Sequence, residues 1–366
     1  MILSAILNGS TYFAGTIKRL VNSWIKCDVC PMKTLPKIAS LWIGGRLSWL
    51  EQLCLKSFAD NGHHITLYSY SPIDNLPDGV HAGNAEDIYP SEPMLRHART
   101  GSPAIHADMW RLHLLLKTDC IWVDADMYCY RPFDFDSPFV FGWEKPGLVC
   151  NAVLGLPSDS KTLLGLLDFF TDEYAIAPWL KPWQQRELEE ERDAGNPVHM
   201  TAQDWGFTGP ASVTYFLQET GEIDHAEPET AFYPISFPDR NHMILSRFNI
   251  EERLTERTRG VHFWARRMKP RLEEKENNTP RRGSFMHGLI KKHGIVPEDA
   301  LIPAKAKVSK APVDDPEFQA MIGLWALQSD ASISKICREH LVDKQFVKTC
   351  RDTILREAST LFTSKG

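Results

Sequence analysis

The chain has 366 residues, enough for one large α/β domain with an appendage or for two ordinary domains. With 43% hydrophobic and 24% charged residues it reads as a globular chain, which excludes disorder as a global state. A net charge of −6 argues against nucleic acid as a bulk partner, because a phosphate backbone needs a basic footprint.

The apolar start Met1–Leu7 is interrupted by Asn8, Gly9 and Ser10 well before the roughly 18 to 20 residues that cross a bilayer. Residues 1–35 therefore read as a lead-in helix, with Lys18, Arg19 and Lys26 leaving an interfacial anchor as the alternative. A cytoplasmic location is expected, with peripheral contact at the inner face of the membrane as its variant. Cys27 and Cys30 form a lone C-x-x-C pair without a second pair or a nearby histidine, so they read as structural.

The main domain is expected over residues 36–265. Ile38–Ile43 is a buried strand that ends in Gly44 and Gly45, where backbone can approach a ligand or bend sharply. Leu47, Leu50, Leu53, Cys54 and Phe58 recur at helical spacing, and Asn61-Gly62 stops that helix. His64–Tyr70 is the next strand, which makes a β-α-β unit with a parallel pair. Residues 71–103 are rich in Pro and Gly and read as a binding loop with a short strand near Val80. Helical period returns over Ile105–Lys117, where Asp108 and Arg111 are neighbours three apart. By itself that pair reads as a surface ion pair.

Ile121-Trp122-Val123 then ends abruptly in Asp124-Ala125-Asp126. Ligands of an open α/β sheet gather beyond the carboxyl ends of its strands. On extended chain the two acids would point the same way and share an oxygen-preferring cation such as Mg²⁺ or Mn²⁺. Further strands are expected over Phe139–Trp143, Asn151–Gly155, Ala231–Ile235 and Gly260–Trp264, with helices over Leu163–Phe170 and Gln184–Asp193 and from Pro210.

Residues 266–316 read as a basic segment followed by a Pro-rich linker, either a solvated stretch or a seat for anionic lipid or polysaccharide. Residues 317–366 read as a helical module. It resembles a helix-turn-helix, but its mixed charges point to a protein partner and not to DNA.

Over residues 36–265 these segments resemble the retaining glycosyltransferases named for a sugar-binding region with a D-x-D motif, a group that includes initiation mannosyltransferases, capsular polysaccharide transferases and α-1,4-galactosyltransferases. The resemblance rests on Trp42-Ile43-Gly44-Gly45, Asn61-Gly62-His63-His64, Ala107-Asp108-x-x-Arg111, Val123-Asp124-Ala125-Asp126, Arg131-Pro132-Phe133, Asn151-Ala152-Val153, Thr208-Gly209-Pro210 and Val261-His262-Phe263-Trp264, in that order. Ala107 stands where the family usually has Ser, and Thr118-Asp119-Cys120 where it often has Gly-Gly.

The resemblance implies a GT-A type fold, a nucleotide-sugar donor such as a UDP-hexose, a saccharide or glycolipid acceptor, and Mn²⁺ or Mg²⁺. It casts Asp124, Asp126 and His262 as metal ligands and Trp42 as the platform for the base. Asp108 and Arg111 would hold sugar hydroxyls, and Trp264 would donate a hydrogen bond to the diphosphate. Asn151 and Asp204 would orient sugar or acceptor. Two rivals use the same acids: an aspartyl phosphotransferase of the haloacid-dehalogenase kind, and an inactive sugar-nucleotide-binding scaffold.

Overall fold

The computed structural model describes residues 34–203, 206–304, 313–328, 333–340 and 342–358. The expectations for residues 1–33, Cys27 and Cys30 included, and for Asp204 lie outside the described residues.

Six strands form the central sheet, in the order β3 (Val80–Asn84), β2 (Ile65–Ser69), β1 (Ile38–Trp42), β4 (Ile121–Val123), β7 (Leu148–Gly155) and β6 (Val140–Lys145). The first, β1 (Ile38–Trp42), is followed by helix α1 (Trp49–Asp60) and β2 (Ile65–Ser69). Ser48 starts α1, and its hydroxyl and amide both donate to the Glu51 carboxylate one turn on, at 2.6 and 3.0 Å. The strands β1 and β2 pair in parallel with Ile38 opposite Ile65, and β3 (Val80–Asn84) adds in parallel beyond them. Helix α2 (Ala104–Lys117) then carries the chain back across to β4 (Ile121–Val123), which lies parallel to β1 on its other side. Strand order therefore reverses between β1 and β4, and such a reversal opens a crevice at the carboxyl ends of the two strands.

The sheet is completed by β6 (Val140–Lys145) and β7 (Leu148–Gly155), with β7 antiparallel to both β4 and β6. The fold is thus mixed α/β with a mostly parallel centre. Helices α3 (Lys161–Phe169), α4 (Pro182–Asp193) and α5 (Pro210–Thr220) follow. Helix α4 has no buried residue, as expected of an insertion.

Two sequence expectations change. Ala231–Ile235 does not form a strand: α6 (Glu229–Phe232) takes its first residues, and Phe232 and Tyr233 are buried as core aromatics. Large apolar residues satisfy a buried helix turn as well as a buried strand, and five residues cannot separate the two periods. The stretch after 265 is also part of the core. Helices α7 (Ala265–Lys275) and α8 (Phe285–Lys292) send Met268, Leu272, Met286 and Leu289 into one cluster with Trp49, Leu50 and Tyr128. The Trp49 indole donates to the Asn278 carbonyl at 2.8 Å, and the Trp49 amide donates to the Ala300 carbonyl at 2.7 Å. The basic side chains that suggested a solvated segment are a part of it only: Arg266, Arg267, Lys291 and Lys292 are exposed.

Farther on, α9 (Pro316–Trp325), α10 (Ile333–His340) and α11 (Lys344–Glu357) pack around Ile322, Ile336 and Val347 in a cluster of their own. Lys344 at the start of α11 pairs with Glu187 of α4. None of the described helices is long and apolar enough to cross a membrane.

One buried network in this frame responds to pH. His106 of α2 is fully buried, accepts from the Leu95 amide at Nδ1 (3.4 Å) and lies 2.6 Å from the Tyr70 hydroxyl at Nε2. The Tyr70 hydroxyl in turn donates to the Tyr89 carbonyl at 2.8 Å. That chain needs a neutral ring with its proton on Nε2. Burial, helped by the charge of Arg96, pushes the imidazole down to about 4 from an ordinary 6.5. Between those values the unfolded chain binds a proton that the folded one refuses, so stability falls as pH drops through this window. Urea unfolding of wild type and His106→Gln should show a stability gap that narrows from pH 7.5 to pH 4.5. A constant gap would mean that the ring binds its proton equally well in the folded and unfolded chain, so that burial does not hold it neutral.

Candidate active site

The crevice at the strand reversal is a cleft of about 870 Å³. Trp42, at the end of β1, and Asp124, just past β4, both line it. The loop before α2 contributes His97, Arg99 and Thr100, which places the long Pro- and Gly-rich segment at the site.

Asp124-Ala125-Asp126 forms a turn, not extended chain: the Met127 amide donates to the Asp124 carbonyl at 2.9 Å. The turn leads into β5 (Met127–Cys129), which pairs antiparallel with β8 (Gly260–His262) and sets His262 opposite Met127. His262 Nε2 thereby comes to 3.2 Å from Asp126 Oδ1. Trp264 follows in the left-handed region at φ 56°, an uncommon place for a bulky residue. Immediately after it, the first amide of α7, that of Ala265, donates to Asp126 Oδ2 at 2.7 Å.

One ligand atom from each of Asp124, Asp126 and His262 lies within 4.8 Å of the others, the only cluster of this kind among the described residues. Ligands on opposite sides of Mg²⁺ lie about 4.2 Å apart, so a small inward adjustment would close the set. Two carboxylates with one imidazole suit Mn²⁺ better than an all-oxygen site would. His262 Nδ1 is buried without a hydrogen-bond partner. A metal-bound histidine ordinarily anchors that second nitrogen, and this one has no such anchor.

The two acids differ in character. Burial raises the Asp124 carboxyl above its ordinary range, and Arg111 only partly offsets it. Burial acts on Asp126 in the same sense, but His262 and the Ala265 amide outweigh it and hold that carboxyl low. The His262 ring is raised, since Asp126 overcomes the effect of burial.

Asp108 and Arg111 are not a surface pair. Their side chains are 13% and 7% exposed, and Arg111 bridges two acids, at 3.3 Å from Asp108 and 3.3 Å from Asp124. Its other terminal nitrogen donates to the Asn151 carbonyl at 2.8 Å, and the guanidinium lies 4.6 Å from the centre of the Trp122 ring. Asp108 is held from within the fold: Oδ2 accepts from the Thr208 hydroxyl at 2.6 Å and Oδ1 from the Asn151 amide at 3.2 Å. Asp108 thus ties α2, β7 and the start of α5 together while lining the cleft.

Two other expected roles change. The Trp264 indole N–H donates to the Ile235 carbonyl at 3.1 Å, so in this structure it is not offered to a diphosphate, although Trp264 lines the cleft. Gly44 is not among the cleft-lining residues; a Cβ there would stand 3.3 Å from Trp42 Nε1, so the close approach is to the indole itself. The Trp42 N–H donates to the Gly45 carbonyl at 2.8 Å.

Sequence reasoning missed four participants. Trp122 donates to Asp124 Oδ1 at 2.9 Å, and Thr208 holds Asp108. Glu51 and Lys269 form an ion pair in the cleft wall. Ser48-x-x-Glu51 was legible as a capping box, but nothing along the chain ties it to a residue more than two hundred positions away.

No family model matches the chain, and no curated protein does. Among solved structures, a chain titled PaToxG Glycosyltransferase is similar to it at 15% identity, over 58% of this chain and 81% of that one, with a TM-score of 0.34. A likeness that distant decides neither fold nor chemistry.

Proposed function

We propose that the protein is a metal-dependent glycosyltransferase that moves a hexose, with retention, from a nucleotide sugar to a saccharide or glycolipid acceptor. The observation that carries the reading is convergence. Two acids after β4, a histidine from β8 and an indole from β1 meet in one cleft at the strand reversal. Asp124, Asp126 and His262 are the residues that would hold Mn²⁺ or Mg²⁺, which, when bound, neutralises charge on the departing nucleoside diphosphate.

The chain's own groups have separable tasks. Trp42 offers an aromatic face to the nucleobase, a contact that tolerates any base because every base has a π-face. Arg111 and Trp122 fix the Asp124 carboxylate, so that the ligand set is organised before anything binds. Ala265 and His262 do the same for Asp126. With no evident protein nucleophile among the described residues, retention follows if the acceptor hydroxyl attacks on the face the leaving group vacates and passes its proton to the leaving phosphate.

A thermal-unfolding panel of UDP, GDP, ADP and CDP, each with and without Mn²⁺ or Mg²⁺, tests the reading. One nucleotide should raise the melting temperature by several degrees only when the metal is present, as differential binding to the folded state requires. If neither ion helps the protein hold any diphosphate, the transferase reading fails.

A further inference from the structure

Among the described residues, Lys269 and Glu51 form an ion pair in the cleft wall that the metal and the sheet do not explain. Glu51 is 2% exposed. One of its oxygens, Oε2, caps α1 through Ser48, while Oε1 pairs with Lys269 of α7. That pairing sets the Lys269 ammonium 5.3 Å from the centre of the Trp42 ring, within the range of a cation–π contact. Trp42 is half-buried and packed against a core cluster that includes Leu55 and Leu67. A flat ligand therefore reaches this indole through the side that opens on the cleft.

We propose that Lys269, anchored by Glu51, is a cover over Trp42, and that the pair sets how strongly the cleft takes the nucleoside part of its ligand. The proposal rests on the transferase reading only in assigning Trp42 to the base. A base that stacks on Trp42 must first move the ammonium aside, so stacking is gained while a cation–π contact is lost. The two contacts are of similar strength. Base stacking is thus largely offset, and a nucleoside by itself binds weakly. Ligands that also engage the acid cluster are favoured over fragments that do not.

The test measures the cover and the binding separately. Acrylamide quenching of tryptophan emission should increase in Lys269→Met, and the increase should disappear when Trp42→Phe is added. Uridine and guanosine, which carry no phosphate, should bind to Lys269→Met about two- to thirtyfold more tightly than to wild type, the span of one cation–π contact. Glu51→Gln keeps an oxygen for the cap but releases the ammonium, and should shift affinity in the same direction. Unchanged quenching, or nucleoside affinity equal to or below that of wild type in Lys269→Met, overturns the proposal. Failure of the transferase reading would show differently, as loss of metal-dependent stabilisation by UDP and the other diphosphates in the wild-type protein.

Discussion

Asp126→Asn should lower metal-dependent turnover of the donor by a hundredfold or more, read as release of nucleoside diphosphate, while the protein stays folded. The expectation follows from geometry. Asp126 contributes one oxygen to the cluster with Asp124 and His262, and its other oxygen is already held by the Ala265 amide. An asparagine can keep the bond to the Ala265 amide through its carbonyl. It cannot supply the negative charge that a divalent ion requires. Removing one well-placed electrostatic group from a transition state costs on the order of 10²- to 10³-fold, and losing a ligand to the ion itself should cost at least as much. Melting should move little, because the local backbone bonds of the turn remain. Undiminished turnover in this variant, with circular dichroism unchanged, would remove the acid cluster from the reaction.

Arg111→Met should act on the fold first. The guanidinium pairs with both Asp108 and Asp124, and it is 7% exposed at the side chain. Breaking a buried charge network by deleting one partner costs about 3–5 kcal/mol, because the groups left behind are desolvated and uncompensated. An exposed pair at the same spacing on a helix would cost well under about 1 kcal/mol. The urea midpoint separates the two cases. Arg111→Lys should recover part of the loss, since an ammonium restores charge but cannot reach Asp108, Asp124 and the Asn151 carbonyl together. A change below about 1 kcal/mol in Arg111→Met, with activity gone, would return Arg111 to a direct role on the substrate.

Much of the fold was legible along the chain. The β-α-β start, the helix through Asp108 and Arg111, and the apolar run ending at Asp124 each carry their period within a dozen residues, where local pattern is strongest. Ala231–Ile235 was misread because five bulky residues serve a helix turn or a strand equally well. Residues 266–292 read as a basic, solvated segment because charge dominates their composition; burial of Met268, Leu272, Met286 and Leu289 is decided by a minority of positions.

The site divides along the same line. Its acids announce themselves through a strand that turns polar within one residue, so Asp124 and Asp126 are local facts of the chain. Their chemistry is not local. His262 reaches Asp126 only because β8 pairs with β5 across more than a hundred residues, and Asp108 is engaged by Thr208 and Asn151, which arrive from other elements. Hydrogen-bond saturation and ion pairing depend on distances of about 3 Å. The sequence by itself determined which residue types stand at the strand ends. Only the packing of separate elements decided which of their atoms are already spoken for and which still face the cleft.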